Sequence, residues 1–387
     1  MKVLIVRTFP DILNISAYNV QEIGLAKALV RKGVECGVVF YNGKERSRTE
    51  QFSFEKEGVS YSFPIYWLRG FGFYKNGFMP EVYRLRKEYD VIQVHEYDQI
   101  FSWMMYTRMK KPTVIYHGPY YHEYARGYNL KCRVFDACFL RWRKHDDVVA
   151  MTKSELASDF LREKGFVHVH TVGVGVDEDK FKIGIEEEVV CPIETDTEKF
   201  RLLYVGKIEE RRNVYFLIDM FEKLHRCDDR VQLIIVGDGE KEYADRFRER
   251  ICGLVEKEAV LYCQKATQKE LALIYQRSNL FVFTSNYEIF GMVLLEALYF
   301  GLPVISTPNG GASVLIRDDY DGYVMPEFQA ECWIRRIQSL LSDPKKYEKM
   351  RENAHKLVEE HFLWDRLADR FIEGYEEAVM RYQEKKK

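Results

Sequence analysis

The sequence predicts an α/β protein built from two doubly wound domains in tandem. Short apolar runs rich in β-branched residues alternate with amphipathic helical segments, from KVLIVRT at the start to LPVIST near residue 304. Such apolar strands, separated by helices, are typical of parallel sheets covered on both faces. The alternation breaks once, at about residues 178–199, and then resumes. This predicts one Rossmann-like domain on each side of the break.

Four segments follow from this division. The first domain takes residues 1–178, an acidic linker that contains a proline takes 179–199, and the second domain takes 200–363. A long amphipathic helix occupies 364–387, and its apolar face can pack on either domain, including by a return to the first. Ligands of doubly wound sheets bind beyond the carboxyl ends of the strands. We therefore expect the two domains to face each other across one binding cleft.

The composition is that of a globular protein and argues against a membrane-spanning, secreted or zinc-binding one. A chain of 387 residues with 47% hydrophobic content can form two ordinary cores, and no apolar run is long enough to span a membrane. The N-terminus becomes charged too early for a signal peptide, and the eight scattered cysteines contain no C-x-x-C pair. These features predict a reduced, cytoplasmic protein without a zinc site.

Basic charge is concentrated in the first half of the chain, where residues 1–178 carry a net charge of +5 against −7 for the remainder. Two stretches there, residues 66–87 and 120–144, mix aromatic residues with lysines and arginines. Such segments can lie on an anionic membrane surface, here the inner face of the plasma membrane. The alternative is a set of core aromatics flanked by solvated bases. The overall acidity and the absence of a recognised module disfavour a nucleic-acid partner.

Two glutamates in the stretch SNYEIFGMVLLEALYFGLPVIS carry the clearest chemical signal. Glu288 follows the strand NLFVFTS, at the edge where ligands bind, and Glu296 falls in the second turn of the next helix among apolar residues. Gly291, at the helix start, lets a ligand approach the backbone, and the free N–H groups there favour a phosphate. A helix-terminal acid plus a solvated glutamate is the alternative, which the apolar neighbours of Glu296 disfavour.

The loop YVGKIEERRN also lies just beyond the carboxyl end of a strand, the first strand of the second domain. It places Lys207 and Arg212 at the carboxyl end of that strand, five residues apart. Two cations so placed could clamp a diphosphate. Taken alone, however, a solvated charged loop of mixed sign explains the pair better.

These segments resemble glycosyltransferase family 4, the retaining sugar transferases of GT-B fold. The sequence E-I-F-G followed by E-A matches the family's Glu-x(7)-Glu signature. YVGKIEERRN, IIVGDGE, ALYFGLPVISTPNGG and DGYVM resemble further family segments, and the run from Tyr204 to Met325 is the most specific match. In the first half, YHG and VGVGVDEDKF resemble the family more loosely.

The resemblance implies a role for each matching position. Glu296 would hold the ribose of a nucleotide-sugar, and Glu288 the hydroxyls of the donor sugar. Lys207 and Arg212 would neutralise the leaving diphosphate, and His117 would lie near the donor sugar. The backbone that meets the donor would be that of Gly206, Gly237, Ile289, Phe290 and Gly291.

The chain departs from the family pattern near its N-terminus. Many members have a Gly-Gly loop there that cradles phosphate or acceptor, whereas NISAYNVQE has no glycine, so we expect Ser16 and Ala17 at that turn. Lys207 and Arg212 exchange the usual Arg and Lys, which keeps both charges but loses bidentate geometry at the first position. The segment Asp177–Asp179 fits a D-x-D metal motif by spacing alone, and we expect no metal there.

Together these features predict a retaining, metal-independent glycosyltransferase that needs no cofactor beyond its nucleotide-sugar substrate. It would move a hexose, with UDP the expected carrier, to a glycan or lipid-linked glycan in bacterial cell-surface polysaccharide synthesis. Two alternatives stay open. One is a sugar-nucleotide isomerase or epimerase of the same fold, and the other is a non-catalytic partner subunit that binds donor poorly.

Overall fold

The computed structural model describes residues 1–15, 20–108, 110–140, 148–182 and 188–386. Its contacts divide the chain into two compact units, Met1–Gly175 with Leu363–Lys387, and Val176–Phe362. Each unit has its own parallel sheet, which confirms the predicted α/β fold class. Ser16 and Ala17 lie outside the described residues, as do residues 183–187 of the predicted linker.

The first unit combines an eight-stranded sheet with a small hairpin. Its strands are β1 (Lys2–Val6), β2 (Glu35–Tyr41), β3 (Arg48–Lys56), β4 (Val59–Leu68), β5 (Phe71–Phe73), β6 (Asn76–Phe78), β7 (Val91–His95), β8 (Thr113–His117), β9 (Val149–Thr152) and β10 (His168–Thr171). Its helices up to residue 175 are α1 (Gln21–Arg31), α2 (Val82–Leu85), α3 (Ile100–Arg108), α4 (Arg126–Phe135) and α5 (Glu155–Glu163).

Strand order in the first unit is β10-β9-β8-β7-β1-β2-β4-β3. In the part of this eight-stranded sheet that the structure describes, the edge strand β3 pairs antiparallel with β4, and the other neighbours pair parallel. The chain reverses its direction of travel between β1 and β7, so the sheet has its switch point there. Side chains just beyond the carboxyl ends of β7 and β8 are therefore placed where doubly wound sheets bind ligands.

The second unit contains a six-stranded parallel sheet in the order β13-β12-β11-β14-β15-β16. Its strands are β11 (Phe200–Val205), β12 (Val231–Val236), β13 (Val260–Cys263), β14 (Leu280–Phe283), β15 (Val304–Ser306) and β16 (Gly322–Val324). Its helices are α6 (Val214–Cys227), α7 (Lys241–Val255), α8 (Gln268–Gln276), α9 (Met292–Tyr299), α10 (Ala312–Leu315), α11 (Ala330–Ser342) and α12 (Pro344–His361). The switch point lies between β11 and β14, and the loops that follow these two strands carry the predicted donor-binding residues.

Glycines bring the loops after β11 and β12 into direct contact. Gly237 has a φ of +149°, and a Cβ placed there would lie 1.9 Å from the carbonyl oxygen of Gly206. Two residues on, a Cβ at Gly239 would lie 1.9 Å from the carbonyl oxygen of Ile208. A side chain at either position would force the two loops apart, so this approach requires glycine.

The last helix, α13 (Trp364–Glu384), belongs to the first unit. Trp364 packs against Gly24 and Gly175, where an added Cβ would come within 2.2 and 2.4 Å of the indole. Further along, the buried Tyr375 hydroxyl donates a 2.6 Å hydrogen bond to the side-chain oxygen of Gln93 in β7. Among the helices of the described ranges, none is both long and apolar enough to cross a membrane.

Replacing Tyr375 with Phe tests how far α13 stabilises the first unit. The substitution leaves the buried oxygen of Gln93 without a donor, so we expect the free energy of unfolding to fall by about 1–2 kcal/mol in denaturant titration. Tyr382→Phe is the matched control, because its hydroxyl bonds the Lys110 carbonyl at the surface and its loss should cost less than about 0.5 kcal/mol. Equal effects of the two variants would contradict this.

Candidate active site

Arg212 is fixed at the switch point of the second unit. It ends the 3-10 turn Glu210–Arg212, in the loop that follows β11. Its Nη1 donates to the carboxylate of Glu288 and, at 3.3 Å, to the hydroxyl of Ser285. The guanidinium carbon lies 5.2 Å from the centre of the Phe283 ring, at the end of β14. The predicted cation and the predicted acid are thus in direct contact.

Glu288 joins the loops that follow β11 and β14. Its side chain is 16% exposed, and its second oxygen accepts the N–H of Ile289 at 3.2 Å. Arg211 lies 4.0 Å from the carboxylate, and its Nη1 donates to the carbonyl of Tyr287 at 2.7 Å. The two arginines therefore hold both the side chain of Glu288 and the backbone beside it.

The backbone from Ile289 to Gly291 is held against a second glycine turn. Cβ atoms at Gly310 and Gly311 would lie 2.2 Å from the carbonyl oxygen of Ile289 and 1.7 Å from that of Phe290. Gly291 has a φ of +75° and starts α9, whose N-terminus has no side-chain cap. N–H groups in this position suit an anion.

Glu296 is buried inside the second unit. Its side chain is in the second turn of α9, and the residue is 1% exposed. One carboxylate oxygen accepts the Tyr275 hydroxyl at 3.0 Å, while the other has no hydrogen-bond partner among the residues the structure describes. Burial raises the pKa of this carboxyl well above its usual range. An unsatisfied buried oxygen costs free energy, and such groups are common at ligand sites.

Lys207 and the D-x-D segment, at separate places in the chain, are more exposed to solvent than Glu288 and Glu296. Lys207 is exposed, and its carbonyl accepts the Tyr204 hydroxyl at 3.0 Å. Gly206 and Gly237 lie beside it at the strand ends, in the close approach described above. In the D-x-D segment, Glu178 and Asp179 form ion pairs with Lys182 at 3.5 and 2.9 Å, so these acids already have a cation.

His117 ends β8 in the first unit and is fully buried. Its Nδ1 lies 2.5 Å from the carboxylate of Glu96, which immediately follows β7. Its ring stacks on Phe160, with centroids 5.6 Å apart and an interplanar angle of 18°. The structure therefore places this predicted residue at the carboxyl edge of the first sheet, paired with an acid.

Three buried side chains in the first unit have ligand atoms within 4.8 Å of one another, which a metal ion would require: Glu96, Asp98 and His117. Both acids already have partners: Asp98 pairs with a lysine, and Glu96 contacts His117. Lys131 lies 2.7 Å from the Asp98 carboxylate, and the charge of Lys153 helps to lower the pKa of Glu96. A divalent ion would have to displace these partners, which disfavours a metal at this cluster.

Sequence reasoning did not find Arg211, Glu96 or Tyr275. Arg211 is hidden in the mixed-sign run EERR, although its position beside Arg212 was a usable signal. Glu96 follows the strand VIQVH directly, at the edge where ligands bind, and its position could have identified it. Tyr275 has no signal of its own, because its contact with Glu296 depends on how α8 packs on α9.

Comparison with known proteins shows which family the chain belongs to. The family model described as Glycosyltransferase Family 4 matches residues 23–180, and the model described as Glycosyl transferases group 1 matches residues 187–357. The two matches leave only the ends of the chain and a short stretch between them uncovered. The chain belongs to glycosyltransferase family 4.

Curated relatives in this family match over part of their length. A probable sucrose-phosphate synthase of Thermosipho melanesiensis is 29% identical over 49% of this chain and 45% of its own length. A D-inositol 3-phosphate glycosyltransferase of Gordonia bronchialis is 26% identical over 61% of this chain and 53% of its own length. The chain thus spans about half the length of the curated relatives that it matches.

Solved structures share the whole fold. Sucrose-phosphate synthase from Thermosynechococcus elongatus has a TM-score of 0.70 at 18% identity and covers 98% of this chain and 99% of its own. HepE from Anabaena, in complex with UDP, has a TM-score of 0.68 at 16% identity and covers 96% of this chain and 99% of its own. At this level of identity the likeness establishes the fold, which is GT-B with two Rossmann-like domains.

Glu296→Gln tests the burial of this carboxyl through the pH dependence of stability. Because burial raises the folded-state pKa, the wild-type protein loses stability as pH rises from the unfolded-state value through the folded one. Glutamine does not ionise and can still accept from Tyr275. We expect it to raise the unfolding free energy at pH 8 by roughly 1–3 kcal/mol, with little change at pH 5.

Thermal and denaturant unfolding at the two pH values measure this difference. Glu352→Gln is the control, because its side chain is 70% exposed and should change stability at neither pH. A Glu296→Gln variant that is equally destabilised at both pH values would show that the carboxylate is needed in its charged form.

Proposed function

We propose that the chain is a retaining, metal-independent glycosyltransferase that moves a hexose from UDP to a glycan or lipid-linked glycan acceptor. In this proposal the second unit binds the donor and the first binds the acceptor. The observation that carries the proposal is the Arg212–Glu288 pair at the switch point of the second unit. It lies beside the uncapped start of α9, so a cation, a hydroxyl acceptor and free N–H groups converge there.

The arrangement supplies what departure of a nucleoside diphosphate requires. Arg212 and Lys207 provide the positive charge that a metal gives in other transferases, and the N–H groups of α9 add partial charge. Glu288, freed from Arg212 by the incoming phosphate, accepts hydroxyls of the donor sugar. As the bond between the anomeric carbon and the phosphate oxygen breaks, the acceptor oxygen bonds to that carbon on the same face. The departing phosphate oxygen takes the acceptor's proton, and the anomeric configuration is retained.

Glu296 is proposed to hold the ribose, because its open buried oxygen can accept a hydroxyl. Several similar structures support UDP as the carrier. HepE from Anabaena is in complexes with UDP and with UDP-glucose, and an Escherichia coli trehalose-6-phosphate structure holds UDP-2-fluoro glucose. The names of the relatives point to different acceptors. The proposal of a glycan or lipid-linked acceptor is therefore based on the surface of the first unit.

The hairpin β5–β6 exposes an aromatic tip on the first unit. Phe71, Phe73 and Tyr74 are 56%, 64% and 65% exposed. The exposed bases Arg69 and Lys75 lie at either end of this short segment. Exposed aromatics beside bases suit the interface of an anionic membrane, where rings enter the headgroup region and cations meet phosphates.

Helix α4 adds a second surface of this kind. Its exposed residues include Arg126, Leu130, Arg133 and Val134, whose spacing places them on one helical face. Not all of the predicted aromatics belong to such a surface. Trp67 is only 4% exposed and packs in the core, and residues 141–147, with Trp142, lie outside the described residues.

Calorimetry with UDP in the presence and absence of EDTA tests the donor site. We expect binding that EDTA does not weaken. Arg212→Ala should weaken it at least about tenfold, because it removes charge-assisted contacts to the diphosphate. Glu296→Ala should also weaken UDP binding, whereas Glu288→Ala should mainly slow transfer.

Arg230→Ala is the control for these variants, because Arg230 is an exposed arginine just before β12, at the opposite edge of the same sheet. Equal, small effects of both glutamate variants in folded protein would count against the assigned roles. Failure to bind UDP, GDP, ADP or their sugars would favour a non-catalytic partner subunit. Rearrangement of a donor sugar without acceptor would favour an isomerase.

Sedimentation with lipid vesicles tests the membrane surface. The double variant Phe71→Ser/Phe73→Ser should lose most of its binding to phosphatidylglycerol-rich vesicles, because it removes the aromatic tip but no charge. The control is Val167→Ser, since Val167 is 63% exposed in the same unit away from the hairpin sequence. An anionic membrane partner would be contradicted if the wild-type protein did not bind anionic vesicles, or if it bound neutral phosphatidylcholine vesicles equally well.

A further inference from the structure

Glu96 has an unusual backbone conformation that aims its side chain at His117. Its φ is +58°, in the left-handed region that residues other than glycine rarely adopt. Its N–H still donates to the carbonyl of Tyr116 at 3.1 Å, so the turn comes directly after the last ladder bond of β7. Strained residues of this kind cluster at functional sites, where the surrounding structure holds them in place.

The carboxylate of Glu96 is held against the end of β8. One oxygen accepts the N–H of Gly118 at 3.3 Å and lies 2.5 Å from Nδ1 of His117. Burial raises the pKa of Glu96, but the interaction with His117 outweighs burial, and the pKa falls to about 2. The acid is therefore ionised over the whole physiological range.

The imidazole of His117 has little freedom to turn. Phe160 stacks on one side, and Tyr97 meets the ring edge-on with centroids 5.3 Å apart. Both ring nitrogens are buried and neither completes a hydrogen bond within the described part of the chain, but Nδ1 has the Glu96 carboxylate 2.5 Å away. One nitrogen thus faces a fixed carboxylate while the other is left open.

We propose that Glu96 is a positioning residue that holds His117 with its proton on Nδ1, leaving Nε2 as an acceptor for a hydroxyl of a sugar ligand at the carboxyl edge of the first sheet. The inference rests on the proposed function for the identity of the ligand. The placement of the proton rests on the first unit alone. A carboxylate beside one imidazole nitrogen fixes the tautomer in this way in many enzymes.

Nitrogen NMR of histidine-labelled protein tests the tautomer without any substrate. The His117 signals, assigned with His117→Asn, should show a protonated Nδ1 and an unprotonated Nε2 in the wild-type protein. Glu96→Gln keeps the size of the side chain but loses its charge, and it should move the proton partly or fully to Nε2. A wild-type ring protonated on Nε2, or a tautomer that Glu96→Gln does not change, would overturn the proposal.

Turnover of UDP-glucose tests whether Glu96 acts through His117. We expect Glu96→Gln to lower kcat by roughly 10–100-fold with little change in UDP affinity. In the double variant with His117→Ala, the loss should not exceed that of His117→Ala alone. Asp321→Asn is the control, because this buried acid belongs to the second unit and pairs with Arg317 there, and its effect should add to that of His117→Ala.

These outcomes separate the two proposals. Additive losses for Glu96→Gln and His117→Ala would show that Glu96 acts through the fold and would overturn the inference. Wild-type protein that binds no donor and turns over no UDP-glucose would count against the proposed function. The NMR result would still decide whether Glu96 sets the tautomer of His117.

Discussion

The candidate donor site depends on the way a parallel sheet gathers its strand ends. Because every strand of the second unit runs in the same direction, the loops that follow β11 and β14 emerge side by side at the switch point. Residues 76 apart in sequence, Arg212 and Glu288, thereby meet. The glycine contacts between neighbouring loops then fix the backbone to which these side chains are attached. Without parallel pairing neither charge would have its partner.

Both units contain buried polar atoms that lack a hydrogen-bond partner among the described residues. In the second unit, one oxygen of Glu296 and Nε of Arg212 lack hydrogen-bond partners, and in the first the same holds for Nε2 of His117, as far as the described residues show. Each such group reduces stability, and the apolar sheets offset this cost. Buried polar atoms without partners are common at ligand sites, so these three favour ligand binding over a structural role.

The strands and helices that depend on short-range sequence patterns could be predicted from the sequence. Strand runs such as KVLIVRT and the helix after Gly291 are confirmed, because periodicity and turn residues act over a few positions. The antiparallel strand β3 was not predicted, since its pairing with β4 depends on a partner rather than on its own mixed pattern. For the same reason a family motif could name Glu288 and Glu296 but not Tyr275 or Glu96. The contacts of Tyr275 and Glu96 arise from packing between elements.

The position of α13 bears on how the polypeptide matures. The second unit is one continuous segment, whereas the first needs residues from both ends of the chain, including Trp364 and Tyr375. The strands of the first unit are synthesised before the second unit, yet the first unit cannot complete its core until α13 has been synthesised. The unit synthesised later is therefore able to finish folding earlier. During that interval the surface of the first unit that α13 later covers is exposed. Chaperones can bind it, and so can other nascent chains.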